Sequence, residues 1–375
     1  MNRLLAAGLV GLGTLATQTQ ADDGPRLLEF DAPGSTSVVS PICGGLCGTV
    51  AYANNDAGTV TGFYTDESVV PHGFLRTRDG QFTSFDAPGA GLGSMLDQGT
   101  VPYSINDSGV IAGQYEDPGN VFHGFIRHHD GSFVSFDAPG AGTAAGSGTL
   151  AYSLNLKGDT AGVSFDDNFG EHGFVRWHGG ETVSFDPDGS IGTMVCQETC
   201  LNASGSAAGY YLDAAFTIHG FVRHRDGTLV SFDAPGAGAG GFFGTYAASI
   251  NDAGEITGYV VDGNNVAHGF IRHPNGSFAN FDIPGAFDGS GGGTSAYAVN
   301  AAGSVTGVWQ DATLGFHGYQ RSRDGHVSRF DAPGAIAGAA FLGTRPTMLN
   351  GTGAVSGYWT DANGLNHGFI WMRDE

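Results

Sequence analysis

The sequence is poor in basic residues. Lys and Arg account for 15 of its 375 residues, with Lys157 the only lysine, against 37 Asp and Glu, and the formal net charge at pH 7 is −22. Nucleic-acid-binding proteins need a basic surface that neutralises phosphates. The charge therefore excludes nucleic acid as a partner and disfavours anionic membranes, although it carries no information about the fold.

Long apolar runs are also lacking, except at the N-terminus. The run Leu4–Ala16 has 13 residues, whereas a membrane-spanning helix needs about 20. Arg3 precedes this run and Thr19-Gln20-Ala21 follows it, which is the pattern of a signal peptide with a small-residue cleavage site. The alternative is a buried helix of the mature fold, but a repeat array begins directly afterwards. We therefore predict a signal peptide over 1–21, a secreted chain (extracellular or periplasmic) and no membrane insertion.

Cysteine is scarce, and its spacing is informative. The four cysteines form two Cys-x3-Cys pairs, Cys43 with Cys47 and Cys196 with Cys200. In an exported protein an even number of cysteines indicates disulfides. Because the pairs lie far apart in a repeat array, we predict two local bridges. A zinc site is the alternative, but neither pair has a nearby His and the spacing is loose.

Glycine and aromatic residues are abundant instead. The chain has 65 Gly, 26 Phe and 12 Tyr, so it combines many turn residues with ample apolar surface to bury. At 375 residues it exceeds the length that one hydrophobic core usually supports. Several domains or a repeat array are therefore expected.

Two motifs recur seven times and establish the repeat. Successive histidines of the first motif lie 47 to 51 residues apart. The first motif, His-Gly-aromatic, begins at His72, His123, His172, His219, His268, His317 and His367. The second, most often Phe-Asp-Ala-Pro-Gly, begins at Phe30, Phe85, Phe136, Phe185, Phe232, Phe281 and Phe330, and its fourth copy has Phe-Asp-Pro-Asp-Gly.

Each repeat carries four short strands separated by turn signals, which is typical of a propeller blade. The chain begins with an isolated fourth strand, Leu27–Ala32, and ends just after a third strand, His367–Met372. Together they would complete one blade and leave no free sheet edge. The sequence therefore predicts an all-β fold, a single seven-bladed β-propeller over 22–375 with a period of about 49 residues, closed by the N-terminal fourth strand.

The hairpin between the third and fourth strands has a predicted register. Asp130-Gly131 favours a two-residue type I′ turn, which would place Phe125 directly opposite Phe136. The same rule predicts that Phe369 lies opposite Phe30 in the closing blade, with His367 opposite Ala32. Deleting residues 22–33 should then open the ring. The Asp of the Phe-Asp motif is expected to accept hydrogen bonds from backbone N–H groups.

An Asp precedes each repeated His by six residues. Such pairs could indicate catalysis or metal binding, because a carboxylate can orient a His. A catalytic centre is a single constellation, however, whereas a feature of every repeat serves the folding of every repeat. We therefore predict a structural clamp in each of Asp66/His72, Asp117/His123, Asp166/His172, Asp213/His219, Asp262/His268, Asp311/His317 and Asp361/His367.

The order of these motifs resembles a known family. Ile-Asn-x-x-Gly, then a Gly shortly before an aromatic residue, then His-Gly-Phe-aliphatic and Asp-Gly are arranged as in the HAF family of bacterial extracellular repeats, named for its His-Ala-Phe signature. This chain has Gly124 and its equivalents where the family usually has Ala, and only the last unit keeps a Trp, Trp371. Over about 26–375 the resemblance implies a secreted or cell-surface propeller, and it implies no active-site residues.

Function is expected where the repeats differ. The connections from the fourth strand of one unit to the first strand of the next are long and unlike each other, and six of them end in Gly-Thr; the fourth unit breaks this pattern with Cys196. The ionisable residues peculiar to these connections form the candidate ligand face: Asp97, Glu198, Asp288 and Arg345.

Two functions from different classes are compatible with this pattern. The favoured one is a non-catalytic binding or surface-interaction module that holds a glycan or protein ligand and acts as a monomer. The alternative is a propeller hydrolase or lyase for a glycan-type substrate, in which carboxylates such as Asp97 and Asp288 act as acid and base. The segment 166–171 resembles part of a calcium loop but lacks the full ligand spacing. Ca²⁺ is therefore the only cofactor considered, and no metal or catalytic residue is predicted.

Overall fold

The computed structural model describes residues 26–43, 45–93, 98–195, 199–336 and 342–373, so the predicted signal peptide lies outside the described residues. The described residues form 28 strands and one short 3-10 helix, Pro41–Cys43. The predicted all-β class is confirmed. The strands are β1 (Arg26–Phe30), β2 (Thr49–Asn54), β3 (Val60–Thr65), β4 (Pro71–Arg76), β5 (Phe82–Phe85), β6 (Gly99–Ile105), β7 (Ile111–Glu116), β8 (Phe122–Arg127), β9 (Phe133–Phe136), β10 (Gly148–Leu154), β11 (Thr160–Phe165), β12 (Glu171–Arg176), β13 (Thr182–Phe185), β14 (Ser190–Val195), β15 (Ala207–Asp213), β16 (Ile218–Arg223), β17 (Leu229–Phe232), β18 (Gly244–Ile250), β19 (Ile256–Val261), β20 (Ala267–Arg272), β21 (Phe278–Phe281), β22 (Gly293–Val299), β23 (Val305–Gln310), β24 (Phe316–Arg321), β25 (Val327–Phe330), β26 (Thr344–Leu349), β27 (Val355–Thr360) and β28 (Asn366–Met372).

The strands group into units of four antiparallel neighbours. Units I to VI are consecutive in the chain: β2–β5, β6–β9, β10–β13, β14–β17, β18–β21 and β22–β25. Unit VII combines β26–β28 with β1 from the other end of the chain, in the order β1-β28-β27-β26. The predicted antiparallel pairing of the two chain ends is thus confirmed.

The predicted register of the third-to-fourth-strand hairpin is wrong by one residue. Phe136 pairs with Gly124, and Phe125 pairs with Ser135. The loop has three residues, because His128 N–H donates to the Ser132 carbonyl and Gly131 N–H donates to the His128 carbonyl. Gly131 has φ +87°, as a type I turn followed by a left-handed glycine requires. Asp-Gly therefore ends a three-residue loop and does not form a two-residue one.

The same shift applies to the closing pair of strands. Phe30 pairs with Gly368, and Glu29 pairs with Phe369, so the predicted pairs Phe30/Phe369 and Ala32/His367 are wrong. The repeated Gly has a steric reason in this register. A Cβ on Gly124 would lie 2.8 Å from the ring of Phe136, and one on Gly368 would lie 2.5 Å from the ring of Phe30.

Because of this register, the repeated Phe pairs join different units. The fourth-strand Phe of each unit packs edge-on against the buried third-strand aromatic of the next unit. The ring pairs are Phe30/Phe74, Phe85/Phe125, Phe136/Phe174, Phe185/Phe221, Phe232/Phe270, Phe281/Tyr319 and Phe330/Phe369, with centroids 5.8 to 6.5 Å apart. Aromatic packing therefore links every unit to its successor, and unit VII to unit I.

The repeated Arg that follows the aromatic strengthens the same junction. Arg127 lies with Cζ 4.7 Å from the centroid of the Phe85 ring, and Arg76 lies 4.8 Å from that of Phe30. Such cation–π contacts contribute about 0.5–1 kcal/mol each where they are exposed and more where they are desolvated. Trp371 takes the place of Arg in unit VII and stacks on Phe330 with centroids 4.6 Å apart.

Seven asparagines close a cycle of hydrogen bonds at the turn between the first and second strands. Each side-chain amide donates to the backbone carbonyl of the equivalent Asn in the next unit, over 2.8 to 3.2 Å. The side-chain oxygen accepts from N–H groups of its own turn, as Asn106 does from Ser108 and Val110. We call this set the asparagine ring: Asn55, Asn106, Asn155, Asn202, Asn251, Asn300 and Asn350.

The predicted disulfide between Cys43 and Cys47 is confirmed. Cys200 is also disulfide-bonded, whereas Cys196, its predicted partner, lies outside the described residues. Among the described residues, no helix has the length and apolar character needed to span a membrane.

Candidate functional site

Each repeated His lies between two carboxylates. His72 Nδ1 is 2.9 Å from Asp86 Oδ1, and its Nε2 is 3.5 Å from Asp66 Oδ2. The shorter contact is thus with the Asp of the Phe-Asp motif, which corrects the prediction that this Asp accepts from backbone donors. The other six units repeat the arrangement, with Nδ1 distances of 2.7 to 3.0 Å and Nε2 distances of 3.4 to 3.9 Å.

The Asp that precedes each His organises the loop between the second and third strands. Asp166 Oδ1 accepts from the N–H groups of Gly170 and Asn168, and these bonds lower the pKa of Asp166. The hydrogen bond with Asp186 raises the pKa of His172, against the opposing effect of burial. The 166–171 segment, which resembles part of a calcium loop, therefore uses its first carboxylate on its own backbone.

A cavity of about 340 Å³ has tyrosines as half of its lining residues. Its walls come from first and second strands of six units, which are far apart in the sequence. Seven tyrosines line it, and each is half-buried, so part of every ring faces the cavity. We call it the tyrosine cavity, and its tyrosines are Tyr52, Tyr103, Tyr210, Tyr246, Tyr259, Tyr297 and Tyr358.

These rings contact one another in two series. Tyr52 and Tyr103 have centroids 5.1 Å apart, whereas Tyr246 stacks on Tyr259 at 4.9 Å and 8° and meets Tyr210 edge-on at 5.0 Å. The Tyr246 hydroxyl donates to the Phe242 carbonyl at 2.7 Å, and burial raises the pKa of Tyr246. The rings therefore support each other as fixed, mostly apolar surfaces.

One of the four predicted ligand-face residues lines this cavity. Arg345 lies there, half-buried, with Cζ 4.2 Å from the centroid of the Phe316 ring. It is the only charged side chain among the described residues that line the cavity. Asp288 is exposed and is not part of the lining. Asp97 and Glu198 lie outside the described residues.

The tyrosines are functional candidates that the sequence predictions missed. Tyr52, Tyr103 and Tyr297 each stand three residues before the Asn of the asparagine ring, and Tyr210, Tyr259 and Tyr358 each follow the repeated Gly of the second strand. In the other units the first of these positions holds Tyr152, Thr199, Ala248 or Thr347, and the second holds Phe63, Gln114, Val163 or Val308. The signal in the sequence was an aromatic residue at a position that varies between repeats. The predicted ligand face did not include it, because that prediction considered only ionisable residues.

A smaller cleft of about 250 Å³ adjoins the tyrosine cavity between units III and IV. Tyr210 and Tyr246 belong to the walls of both. The cleft contains the carboxylate of Glu171, and its other walls are apolar side chains such as Met194 and Phe242. Burial raises the pKa of Glu171. Among the described residues, no three His, Cys, Asp or Glu side chains are grouped as metal ligands.

The sequence matches no protein-family model and no curated protein. Solved structures match its fold. A lectin, BP39L from Burkholderia pseudomallei, has a TM-score of 0.55 at 9% identity and covers 87% of this chain and 95% of its own. The β-propeller domain of the Trilobed protease from Pyrococcus furiosus has 0.55 at 12%, covering 86% and 93%. A puromycin hydrolase has 0.56 at 14%, covering 88% of this chain and 53% of its own. The fold is therefore that of a β-propeller.

Proposed function

We propose that this protein is a secreted, monomeric binding module, a seven-bladed propeller that holds an uncharged or cationic glycan in the tyrosine cavity. The cyclic asparagine ring, the aromatic contacts that run from unit VII to unit I, and the pairing of β1 with β28 support the closed ring. The disulfide supports an oxidising compartment. The motif order supports membership of the HAF repeats.

The observation that carries the proposal is the set of half-buried tyrosine rings around one cavity. Aromatic faces offer large, rigid contact surfaces with little side-chain entropy to lose. Sugar rings present flat apolar C–H faces that suit such surfaces, and the tyrosine hydroxyls can exchange hydrogen bonds with sugar hydroxyls. Small-ligand sites generally combine apolar walls with a few polar groups that fix orientation.

Charge favours an uncharged or cationic glycan over a polyanionic one. Arg345 can donate hydrogen bonds to the oxygens of a sugar, but the formal net charge of −22 repels an approaching polyanion. The fold alone does not choose a function: of the propellers of known structure mentioned above, one is a lectin and another forms part of a hydrolase.

The test is a glycan array probed with the mature chain, with and without Ca²⁺, followed by titration of the ligands found. We expect Tyr52→Leu and Tyr259→Leu each to weaken glycan binding about threefold to tenfold, the value of one aromatic contact. Phe169→Leu is the matched control, because Phe169 is 59% exposed and is not part of the cavity lining. Undiminished binding in both Tyr variants, with folding verified by circular dichroism, would refute the proposed site.

A glycan hydrolase remains the second candidate, and one observation favours it. The Glu171 carboxylate adjoins the tyrosine cavity and has the raised pKa that a general acid requires. Glycoside hydrolysis uses two carboxyl groups about 5–10 Å apart. Among the described residues that line the two cavities, Glu171 is the only carboxylate, which supports binding over hydrolysis. Release of sugar fragments from a bound glycan would instead support hydrolysis over binding.

A further inference from the structure

Six of the seven junctions between units are closed by a glycine at the start of the first strand. A Cβ on Gly148 would lie 2.0 Å from the carbonyl oxygen of Phe122 in the preceding unit, and one on Gly293 would lie 2.0 Å from that of Ala267. The backbones therefore meet directly, leaving no room for a ligand. The same close approach occurs at Gly48, Gly99, Gly244 and Gly343.

The junction between units III and IV is built differently. In five units the Ala of the Phe-Asp-Ala motif, and Ile283 in the remaining one, donates its backbone N–H to the Thr that follows the glycine. Unit III has Pro187 at this position, which has no N–H to donate. The Thr193 hydroxyl donates instead to Asp186 at 2.6 Å. Unit IV therefore has a Gly-Thr pair of its own, Gly192-Thr193, although the spacing of the repeat placed Cys196 at this position.

The different arrangement leaves a space between units III and IV, whereas the backbones at the other six junctions are in direct contact. The connection from β13 to β14 has four residues, 186–189, whereas the shortest other connections, 137–147, 233–243 and 282–292, have eleven each. The atom nearest to a Cβ on Gly192 would be Glu171 Oε2, at 3.1 Å, and no backbone carbonyl lies that close. The cleft of about 250 Å³ lies at this junction.

Glu171 is the only charged residue at its position in the repeat. The position directly before the repeated His holds Pro71, Phe122, Ile218, Ala267, Phe316 and Asn366 in the other units. Its carboxylate has no hydrogen-bond or ion-pair partner among the described residues. An anion placed among apolar groups is costly unless a cation or donor accompanies it.

The residues around Glu171 indicate which kind of cation would fit beside its carboxylate. Tyr210, Phe242 and Tyr246 supply aromatic rings, which attract cations through their faces. Phe242 is 55% exposed and meets Phe216 edge-on at 5.7 Å, so this aromatic pair stands at the rim. A Ca²⁺ ion needs six to eight oxygen ligands, whereas the described lining offers one carboxylate. An ammonium group needs only one anion and aromatic contacts.

We infer that the cleft between units III and IV is a subsite for the ammonium group of an amino sugar. The inference rests on the proposed function, because Tyr210 and Tyr246 also wall the cavity in which a sugar ring is proposed to bind. A ring stacked on these tyrosines would carry its amino substituent toward Glu171. The strongly negative net charge also attracts a cationic sugar from solution.

The test compares three oligosaccharides of equal length by calorimetric titration at about pH 6, where amino groups are protonated. They are glucosamine, N-acetylglucosamine and glucose oligomers. We expect the wild type to bind the glucosamine oligomer most tightly, and Glu171→Gln to weaken that binding about tenfold or more, the value of a charge-assisted hydrogen bond. Binding of the glucose oligomer should not change. Glu181→Gln is the matched control, because the exposed Glu181 belongs to the same unit and not to the cleft.

The outcomes separate the two proposals. If the three oligomers bind equally and Glu171→Gln changes none of them, the ammonium subsite is refuted and the glycan site stands. If no oligomer binds and the glycan array is blank, the glycan site itself fails. Cleavage of the glucosamine oligomer by the wild type and not by a folded Glu171→Gln variant would replace the subsite with a general-acid role.

Discussion

At the residue scale, we expect stability to depend on pH through clamp histidines such as His317. His317 lies 3.0 Å from Asp331 through Nδ1 and 3.4 Å from Asp311 through Nε2, and it stacks on Trp309 at 4.3 Å. The hydrogen bond with Asp331 raises the pKa of His317, against burial. Burial also opposes the ionised form of Asp311, but hydrogen bonds from Thr313, Gly315 and His317 lower its pKa to about 2.

These shifts define a pH window for stability. A raised His pKa contributes stability that is complete below the usual 6.5 and lost as the pH rises through the folded pKa. The lowered pKa of Asp311 contributes stability above 3.8 that is lost as the pH falls toward about 2. The protein should therefore be most stable between about pH 4 and 6.5, and thermal unfolding from acid to alkaline pH measures this.

The first prediction is that the Asp/His clamp causes the loss of stability as the pH rises above 6.5. His317→Gln should destabilise the fold by about 1–2 kcal/mol at mildly acidic pH, because two carboxylates lose their partner. It should also make the decline above pH 6.5 less steep, although His72, His172 and His367 keep their raised pKa values. The exposed His326 in the same unit provides the control variant, His326→Gln, which should retain the wild-type profile. A wild-type slope in His317→Gln would contradict the proposed role.

The second prediction concerns the repeated glycine. Gly124→Ala recreates the His-Ala-Phe signature, but its Cβ would meet the Phe136 ring at 2.8 Å, and overpacking of this kind costs about 1–3 kcal/mol. The control is Gly179→Ala, where nothing lies within 4 Å and the change should stay within about 0.5 kcal/mol. Denaturant unfolding of both variants provides the comparison, and equal midpoints would show that Phe136 can move aside.

At the element scale, the asparagine ring connects units through buried amides. Asn300 donates to the Asn350 carbonyl at 3.0 Å and accepts from Ser304 N–H at 3.0 Å, and it is 6% exposed. We predict that Asn300→Ala costs about 1–3 kcal/mol, because the buried partners are left unsatisfied. Asn168→Ala, in an exposed loop, should be neutral. Chemical denaturation should show this difference, and a neutral Asn300→Ala would mean that water replaces the amide.

The same scale explains which parts of the fold the sequence could predict. The spacing of the motifs and the turn signals between them predicted four strands in each repeat. Gly109 ends one of these turns in the left-handed conformation, φ +73°. The hairpin register was missed because Asp-Gly occurs in both two-residue and three-residue loops. One extra loop residue shifts every pair by one and reverses the faces of a strand. Phe136 thereby packs against the next unit and not against Phe125.

At the scale of the whole molecule, the candidate site was less accessible to sequence reasoning than the fold. The tyrosine cavity gathers residues from six units, which are far apart in the sequence and are brought together only by the fold. Arg345 could be predicted because the equivalent position is uncharged in the other units. The tyrosines could not be predicted as a site, because aromatic residues are common in half-buried strands. Glu171 entered the sequence analysis only as part of a calcium-like segment, since its apolar surroundings come from unit IV, the connection after it and unit V.

The last prediction tests ring closure. Strand β1 covers the edge of β28, Phe30 lies against Phe74 and under Arg76 of unit I, and Asp31 pairs with His367 at 2.9 Å. Deleting residues 22–33 removes all these contacts and exposes an unpaired strand edge, which invites pairing with another chain.

The truncated protein should therefore dimerise or aggregate, whereas we expect the mature chain to be a monomer, as size-exclusion chromatography with light scattering would measure. A synthetic peptide of residues 26–33 should restore the monomer by adding the missing strand. The same peptide with Phe30→Ser should restore it poorly, because Phe30 supplies the aromatic contact between units VII and I. A truncated protein that stays monomeric with an unchanged melting temperature would show that β28 does not need its N-terminal partner, and that the remaining contacts between units VII and I, the asparagine ring among them, are sufficient.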